Sequence, residues 1–226
     1  MRRVVIPELL DTDAGTPAEI RDSLADLRNI NRRFGGINTT CAMIERVAAV
    51  NKQGELSLLD VAAGSGYVAE AAQKQLAPRG IRLSYALLDC AASHLNGHRP
   101  SVVANALELP FRDRSFDVVA CSLFLHHLEP DEIRTFVNEA LRVSHIAVLI
   151  NDLRRSALHL ALVYAGFPLF RSRLTRHDAP ASVRRSYSPK ELRDILRATD
   201  AAAVEIEHHY LYRMGVIAWK DGQGQQ

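Results

Sequence analysis

Residues 58–69 read LLDVAAGSGYVA: an apolar run closes on an acid, small residues with two glycines follow, and apolar residues then resume at helical spacing. This order predicts a buried strand, a tight turn and the first turn of a helix. Gly64 and Gly66 let the backbone turn sharply and approach a ligand with no Cβ in the way. The helix that follows presents free N–H groups and a partial positive charge, which suit a carboxylate or a phosphate. In an open α/β sheet such a site lies beyond the carboxyl ends of the strands, where the strand order reverses.

Outward from this stretch, strand and helix patterns alternate. LSLLDV (56–61) is a strand, YVAEAAQKQLA (67–77) a helix stopped by Pro78 and Gly80, and IRLSYALLD (81–89) a second strand. SVVAN (101–105) and SFDVVACS (115–122) give a third and fourth. A helix over 130–144 with Pro130 at its start leads to a fifth strand, HIAVLIND (145–152). Short connections between such elements imply a mostly parallel sheet covered on both faces. Ahead of it, Thr16, Pro17 and Glu19 open one helix, which Gly35-Gly36 ends, and a second is expected from about Thr40 to Lys52. Residues 1–53 are read as an N-terminal helical cap of the same domain, and 54–220 as its core. The rhythm breaks over 153–187, where an apolar helix (157–170) is followed by an arginine-rich stretch without periodicity, taken as a lid insertion. SPKELRDILRATD supplies the last helix, 202–210 and 211–220 a closing antiparallel pair, and 221–226 a polar tail.

The bulk numbers agree with one α/β domain: 226 residues, 47% apolar and 24% charged, with a net charge of +2 that argues for no particular partner. The N-terminal apolar run is broken by Pro7 and Glu8, too short for a signal segment, and nothing approaches a membrane span. The expected location is the cytoplasm. Cys41, Cys90 and Cys121 lie far apart without a C-x-x-C pair, so neither a disulfide framework nor a metal is expected.

Two cofactors suit the glycine loop. GSGYVA satisfies the dinucleotide pattern G-x-G-x-x-A, with Asp89 at the end of the next strand to hold a ribose. S-adenosylmethionine offers an adenosine and an amino-acid end but no diphosphate. Asp60 separates the two, because a carboxylate just before the loop repels a diphosphate and attracts an ammonium.

The same stretch resembles motif I of the class I S-adenosylmethionine-dependent methyltransferases, usually close to D-x-G-x-G-x-G. Ala62 stands at the first glycine, a departure typical of the ubiquinone/menaquinone C-methyltransferase branch. The resemblance covers roughly 56–152 and implies a Rossmann-like fold: a seven-stranded, mostly parallel sheet with an antiparallel last strand. It implies S-adenosylmethionine contacts at Asp60, Ala62, Ala63, Gly64, Ser65 and Gly66. Asp89 of ALLDCA matches the acid that accepts from both ribose hydroxyls, with Cys90 lining the adenine pocket. ANALELPFRDRSFDVV resembles the third block, so that Asn105 accepts from the adenine amino group while Ala106 and Leu107 flank the ring. Cys121 and Ser122, at the end of the fourth strand, fall where the family surrounds the reactive methyl.

On the acceptor side, His126 of CSLFLHHLEP is a candidate base, with a strand-to-helix joint as the plain alternative. Asp152 leaves the fifth strand beside the presumed site, as base, acceptor ligand or helix cap. Arg32, Arg33 and Phe34 are placed by chain order near the cofactor carboxylate. The expected reaction is methyl transfer to a small hydroxylated acceptor, aromatic or polyketide-like, with oxygen slightly favoured over carbon. A nicotinamide-dependent oxidoreductase and a non-catalytic S-adenosylmethionine-binding protein are the alternatives. Nucleic acid is disfavoured because the strand-four motif lacks (D/N)-P-P-(Y/F).

Overall fold

The computed structural model describes residues 1–12, 14–95 and 100–221. All but the first residue of the expected tail lie outside the described residues. Strand β1 (Glu55–Val61) is apolar on both sides because both sides are covered. Leu59 and Val61 enter one core, and Leu56 and Leu58 the other. Parallel β2 (Arg82–Asp89) and β4 (Phe116–Ser122) flank β1, so the strand order reverses there. With β3 (Ser101–Val103), β5 (Ser144–Leu153), β6 (Ala203–His208) and β7 (Arg213–Trp219), the sheet runs β3-β2-β1-β4-β5-β7-β6. β7 pairs antiparallel with both β5 and β6. The fold is the expected seven-stranded sheet with its antiparallel closing strand.

Helices α2 (Gly36–Asn51) and α3 (Tyr67–Leu76) fill one face with Ile44, Val47, Ala69, Ala72 and Leu76. Helices α4 (Pro130–Val143) and α7 (Pro189–Leu196) fill the other with Ile133, Phe136, Val137, Leu192 and Leu196. Helix α1 (Pro17–Arg33) opens on the expected capping box, in which Thr16 and Glu19 satisfy each other's backbone N–H groups. Helix α2 begins about four residues before the expected Thr40. Gly35, at φ +76°, makes the corner between the two helices, and Tyr210 Cβ lies 2.8 Å from where a Cβ there would stand.

The arginine-rich stretch is not irregular. Residues Arg173–Arg185 form helix α6, although Pro180 sits inside it. An internal proline costs a helix about 3 kcal/mol, so tertiary contacts must offset it. Asp26 accepts from the N–H groups of Arg171 and Ser172 at 2.9 and 3.0 Å, fixing the helix entrance. Asp178 accepts from the N–H groups of Leu9 and Leu10 at 2.8 and 3.1 Å. The arginines are engaged within the chain: Arg155 with Glu191, Arg173 with Glu19, Arg184 with Tyr164 and Arg185 with the carbonyl of His127. The apolar helix before it, α5 (Ala157–Ala165), is shorter than expected and ends in a 3-10 turn, Phe167–Leu169. None of its residues is buried; Leu158 is 60% exposed and Leu169, in the turn, 68%. No helix among the described residues is long and apolar enough to cross a membrane.

Candidate cofactor and acceptor site

Three residues of the loop between β1 and α3 adopt left-handed φ: Ala62 at +54°, Gly64 at +53° and Gly66 at +69°. Each glycine is required for a different reason. A Cβ on Gly66 would lie 2.4 Å from Leu87 Cδ1, whereas around a Cβ on Gly64 nothing lies within 4 Å. Packing against β2 demands the second glycine, and open space stands over the first. Ala62 holds its conformation at a cost of roughly 1–2 kcal/mol. Ala63 donates its N–H to the Leu88 carbonyl at 3.1 Å and accepts from the Gly66 N–H at 2.9 Å, which folds the loop onto β2; Ser65, half-buried, lies between.

Two carboxylates stand at this edge with unlike surroundings. Asp89 Oδ2 accepts from the Gly64 N–H and Oδ1 from the Ala91 N–H, both at 2.9 Å. Burial pushes its pKa up, but His94 and these two N–H groups win and hold it below the usual range. Asp60 is 3% exposed, and among the described residues no hydrogen-bond donor acts on its carboxyl. Burial first, and then the charge of Asp89, push its pKa up to about 7. Cys90, next to Asp89, is exposed, with its thiol pushed up by partial burial and that neighbouring charge. Asn105 is exposed; its Oδ1 accepts from the Leu107 N–H at 3.0 Å, closing a small turn, while Ala106 and Leu107 lean on the core.

The carboxyl ends of β1, β4 and β5 lie side by side, with Val61 opposite Cys121 and Ser122 opposite Asn151. Cys121 is sunk in the core, and burial, followed by the charges of Asp152 and Asp60, pushes its thiol well up. Ser122 is half-buried and therefore the more accessible of that pair. Leu123 turns the chain out at φ +57°, donating its N–H to the Asn151 carbonyl at 2.8 Å. The 3-10 turn Leu125–His127 follows.

There the structure brings the two acceptor-side candidates together. His126 Nδ1 lies 2.7 Å from Asp152 Oδ1, and its backbone N–H donates to Asp152 Oδ2 at 3.0 Å. Since a carboxylate only accepts, Nδ1 carries the proton. Burial pulls the pKa of His126 down, yet Asp152 and Glu8 overcome it and raise the pKa to about 10. Asp152 is held below its usual range by the same contact, against its burial. Arg32, Arg33 and Phe34 stay exposed at the end of α1.

Several residues at the site escape sequence reasoning. Glu8 is 8% exposed, accepts from Ser182 Oγ at 2.8 Å and faces His126 Nε2. Arg3 anchors the same N-terminal segment on Glu129 and on the carbonyls of Leu128 and Arg185. Arg213, 2% exposed, donates to Asn151 Oδ1 at 3.2 Å and Asn31 Oδ1 at 2.9 Å; Asn151 Nδ2 in turn donates to the Gly36 carbonyl at 2.7 Å. Burial lowers the pKa of Arg213 to about 10, against the pull of Asp152. A charged residue opening the apolar run RMGVIAW, and Glu8 within an apolar start, were the only sequence signals.

Residues 59–146 match the methyltransferase domain family. The ubiquinone/menaquinone biosynthesis C-methyltransferase of Rickettsia prowazekii is 35% identical over 99 residues, 38% of this chain and 39% of that protein. The match thus spans about two fifths of the curated relative's length. Among solved structures, a magnesium protoporphyrin IX methyltransferase from Synechocystis PCC 6803 with bound S-adenosylmethionine superposes with a TM-score of 0.54. It is 11% identical, over 86% of this chain and 84% of that one. A SAM-dependent methyltransferase from Aquifex aeolicus gives 0.51 at 18% identity, over 74% and 82% of the two chains. At such identities these two speak for the fold alone. Fold, strand order, glycine loop and family match agree: the chain has the Rossmann-like class I methyltransferase fold, and its residues 59–146 match the methyltransferase domain family.

Proposed function

We propose that the chain transfers the methyl group of S-adenosylmethionine to a small hydroxylated acceptor, aromatic or polyketide-like, with oxygen slightly favoured over carbon. Asp60 is the observation that carries this reading. A buried carboxyl that no donor among the described residues reaches, pressed by a second acid, gains most from a bound cation, and the ammonium of the methionine end is one. The same two acids would repel a diphosphate, which counts against a nicotinamide cofactor.

The residues present fit the group. Asp60 takes the ammonium, and Ala62, Ala63, Gly64, Ser65 and Gly66 form the cradle whose open side is at Gly64. Asp89 keeps lone pairs for the ribose hydroxyls after accepting from two backbone N–H groups. Cys90, Asn105, Ala106 and Leu107 border the adenine, and Ser122, with Cys121 beneath it, borders the methyl. The cofactor supplies a sulfonium-activated methyl carbon, so the chain's work is to align the acceptor and exclude water.

His126 and Asp152 are assigned to the acceptor's proton. Asp152 fixes Nδ1–H, leaving Nε2, which faces Glu8, as the atom for the acceptor's proton. Glu8 occupies that side here and helps keep the ring protonated. Withdrawal of Glu8 would both open the position and lower the pKa of the ring. The exposed apolar side chains of α5 and of the 3-10 turn after it support an apolar acceptor, which they would wall in.

Calorimetry with S-adenosylhomocysteine and with NADH tests the cofactor, and labelled-methyl transfer to phenols, quinols and polyketide-like enols tests the acceptor. Binding of NADH alone, or binding without transfer to any of the panel, would overturn the reading.

A further inference from the structure

The sharpest unassigned feature is the place where the N-terminal segment meets the turn after β4. Glu8, His126 and His127 each present a ligating atom there, all within 4.8 Å of one another. We propose that these three side chains bind one divalent transition-metal ion, zinc foremost.

The two imidazoles are oriented alike. His126 Nδ1 lies 2.7 Å from Asp152 Oδ1, and His127 Nδ1 lies 3.0 Å from Asp11 Oδ2. Each carboxylate claims the Nδ1 proton of its ring. That leaves both Nε2 atoms turned toward Glu8, with a metal taking the place of any second proton. A histidine steadied from behind by a carboxylate, with Nε2 forward, is the usual outer arrangement of a metal-ligating imidazole. Here it occurs twice around one carboxylate.

The gaps have the right size. His126 Nε2 stands 3.5 Å from Glu8 Oε1, and His127 Nε2 stands 3.9 Å from Glu8 Oε2. Those separations are at or beyond the limit of a hydrogen bond. Ligand atoms about 2.0–2.1 Å from a tetrahedral ion lie roughly 3.3 Å from one another, so small side-chain adjustments would close the set. Ser182 Oγ donates to Glu8 Oε1 at 2.8 Å and orients the carboxylate. Arg185, 3.8 Å from Asp11, tempers the surrounding negative charge.

The donor set selects the ion. Two imidazole nitrogens with one carboxylate oxygen suit zinc, cobalt or nickel, whereas calcium and magnesium prefer oxygen alone. A search for cysteine spacing could not reveal this site, since Glu8 and His126 are far apart in the chain. An ion there would pin the N-terminal segment onto the turn. On the proposed methyl-transfer reading it would also claim the Nε2 that handles the acceptor's proton, so the two uses of His126 would exclude each other. Metal binding itself is read without any methyl transfer, so its failure leaves the methyl-transfer reading standing.

The test uses the full chain, stripped with a chelator and titrated with Co²⁺. One equivalent should produce the visible absorption of a low-coordinate site, and Zn²⁺ should abolish it. His127→Asn and Glu8→Gln should each weaken binding by about 100-fold or more, and Asp11→Asn by about 10–100-fold. His145→Asn, an exposed histidine at the start of β5, should leave the titration unchanged. If Glu8→Gln does not fold, the partly exposed His127 gives the same readout. No stoichiometric binding, or binding that survives Glu8→Gln combined with His127→Asn, would overturn the proposal.

Discussion

Asp60 and Asp89 stand on adjacent strands at their carboxyl ends, and the second makes the first harder to ionise. Asp89 is satisfied by two backbone N–H groups. Asp60 has burial and a like charge instead. One acid thus holds the loop in shape, and the other is left wanting a cation.

Because the folded pKa of Asp60 is raised, to about 7, its contribution to stability is fully present below the unfolded value near 4 and is lost as pH rises through about 7. Denaturant unfolding of the ligand-free protein should show that decline between about pH 4 and 7 at this residue's expense. Asp60→Asn should remove it, making the free protein more stable by on the order of 2–4 kcal/mol at pH 8 while weakening S-adenosylhomocysteine binding. Calorimetry near pH 6 in two buffers of different ionisation enthalpy should show proton release on binding. Equal heats in both would contradict the ammonium assignment.

Asp89→Ala should harm both structure and binding. It strands the Gly64 and Ala91 N–H groups at a cost of about 1–3 kcal/mol each where buried, and it removes the proposed ribose acceptor. Expected are a lower melting temperature and at least about a hundredfold loss of affinity, with Asp89→Asn milder in both. A variant that loses stability but binds normally would limit Asp89 to shaping the loop.

The two glycines should fail differently. Gly66→Ala drives a methyl into Leu87 and adds left-handed strain, so the loss should exceed the roughly 1–2 kcal/mol of strain alone. Gly64→Ala should pay about that strain and little more, yet lose cofactor affinity, because its methyl enters the open space over the loop. Ala62→Gly should gain stability. Chemical denaturation beside calorimetry separates the cases.

His126→Ala should slow methyl transfer while leaving S-adenosylhomocysteine affinity near wild type. It also leaves Asp152 buried without its partner, for which about 3–5 kcal/mol of destabilisation is typical. Steady-state kinetics and melting curves read the two effects separately. An unchanged rate across pH would reduce the residue to a joint between β4 and α4.

Local chemistry carried most of the fold into view. Strand runs, capping boxes, glycine stops and the order of motifs all act within a few residues, so the alternating sheet and the loop at 62–66 can be read along the chain. Helix α6 could not be, because Pro180 and its arginines conceal a helix that is held together by Asp26 and the N-terminal segment. The acid at position 60 is visible in the sequence, but its burial beside the charge of Asp89 is not. The closure of Glu8 onto His126 and His127 joins residues that no short-range pattern connects. Periodicity and turn preference are properties of neighbours in sequence, whereas burial, pairing and charge balance exist only once distant segments have been brought into contact.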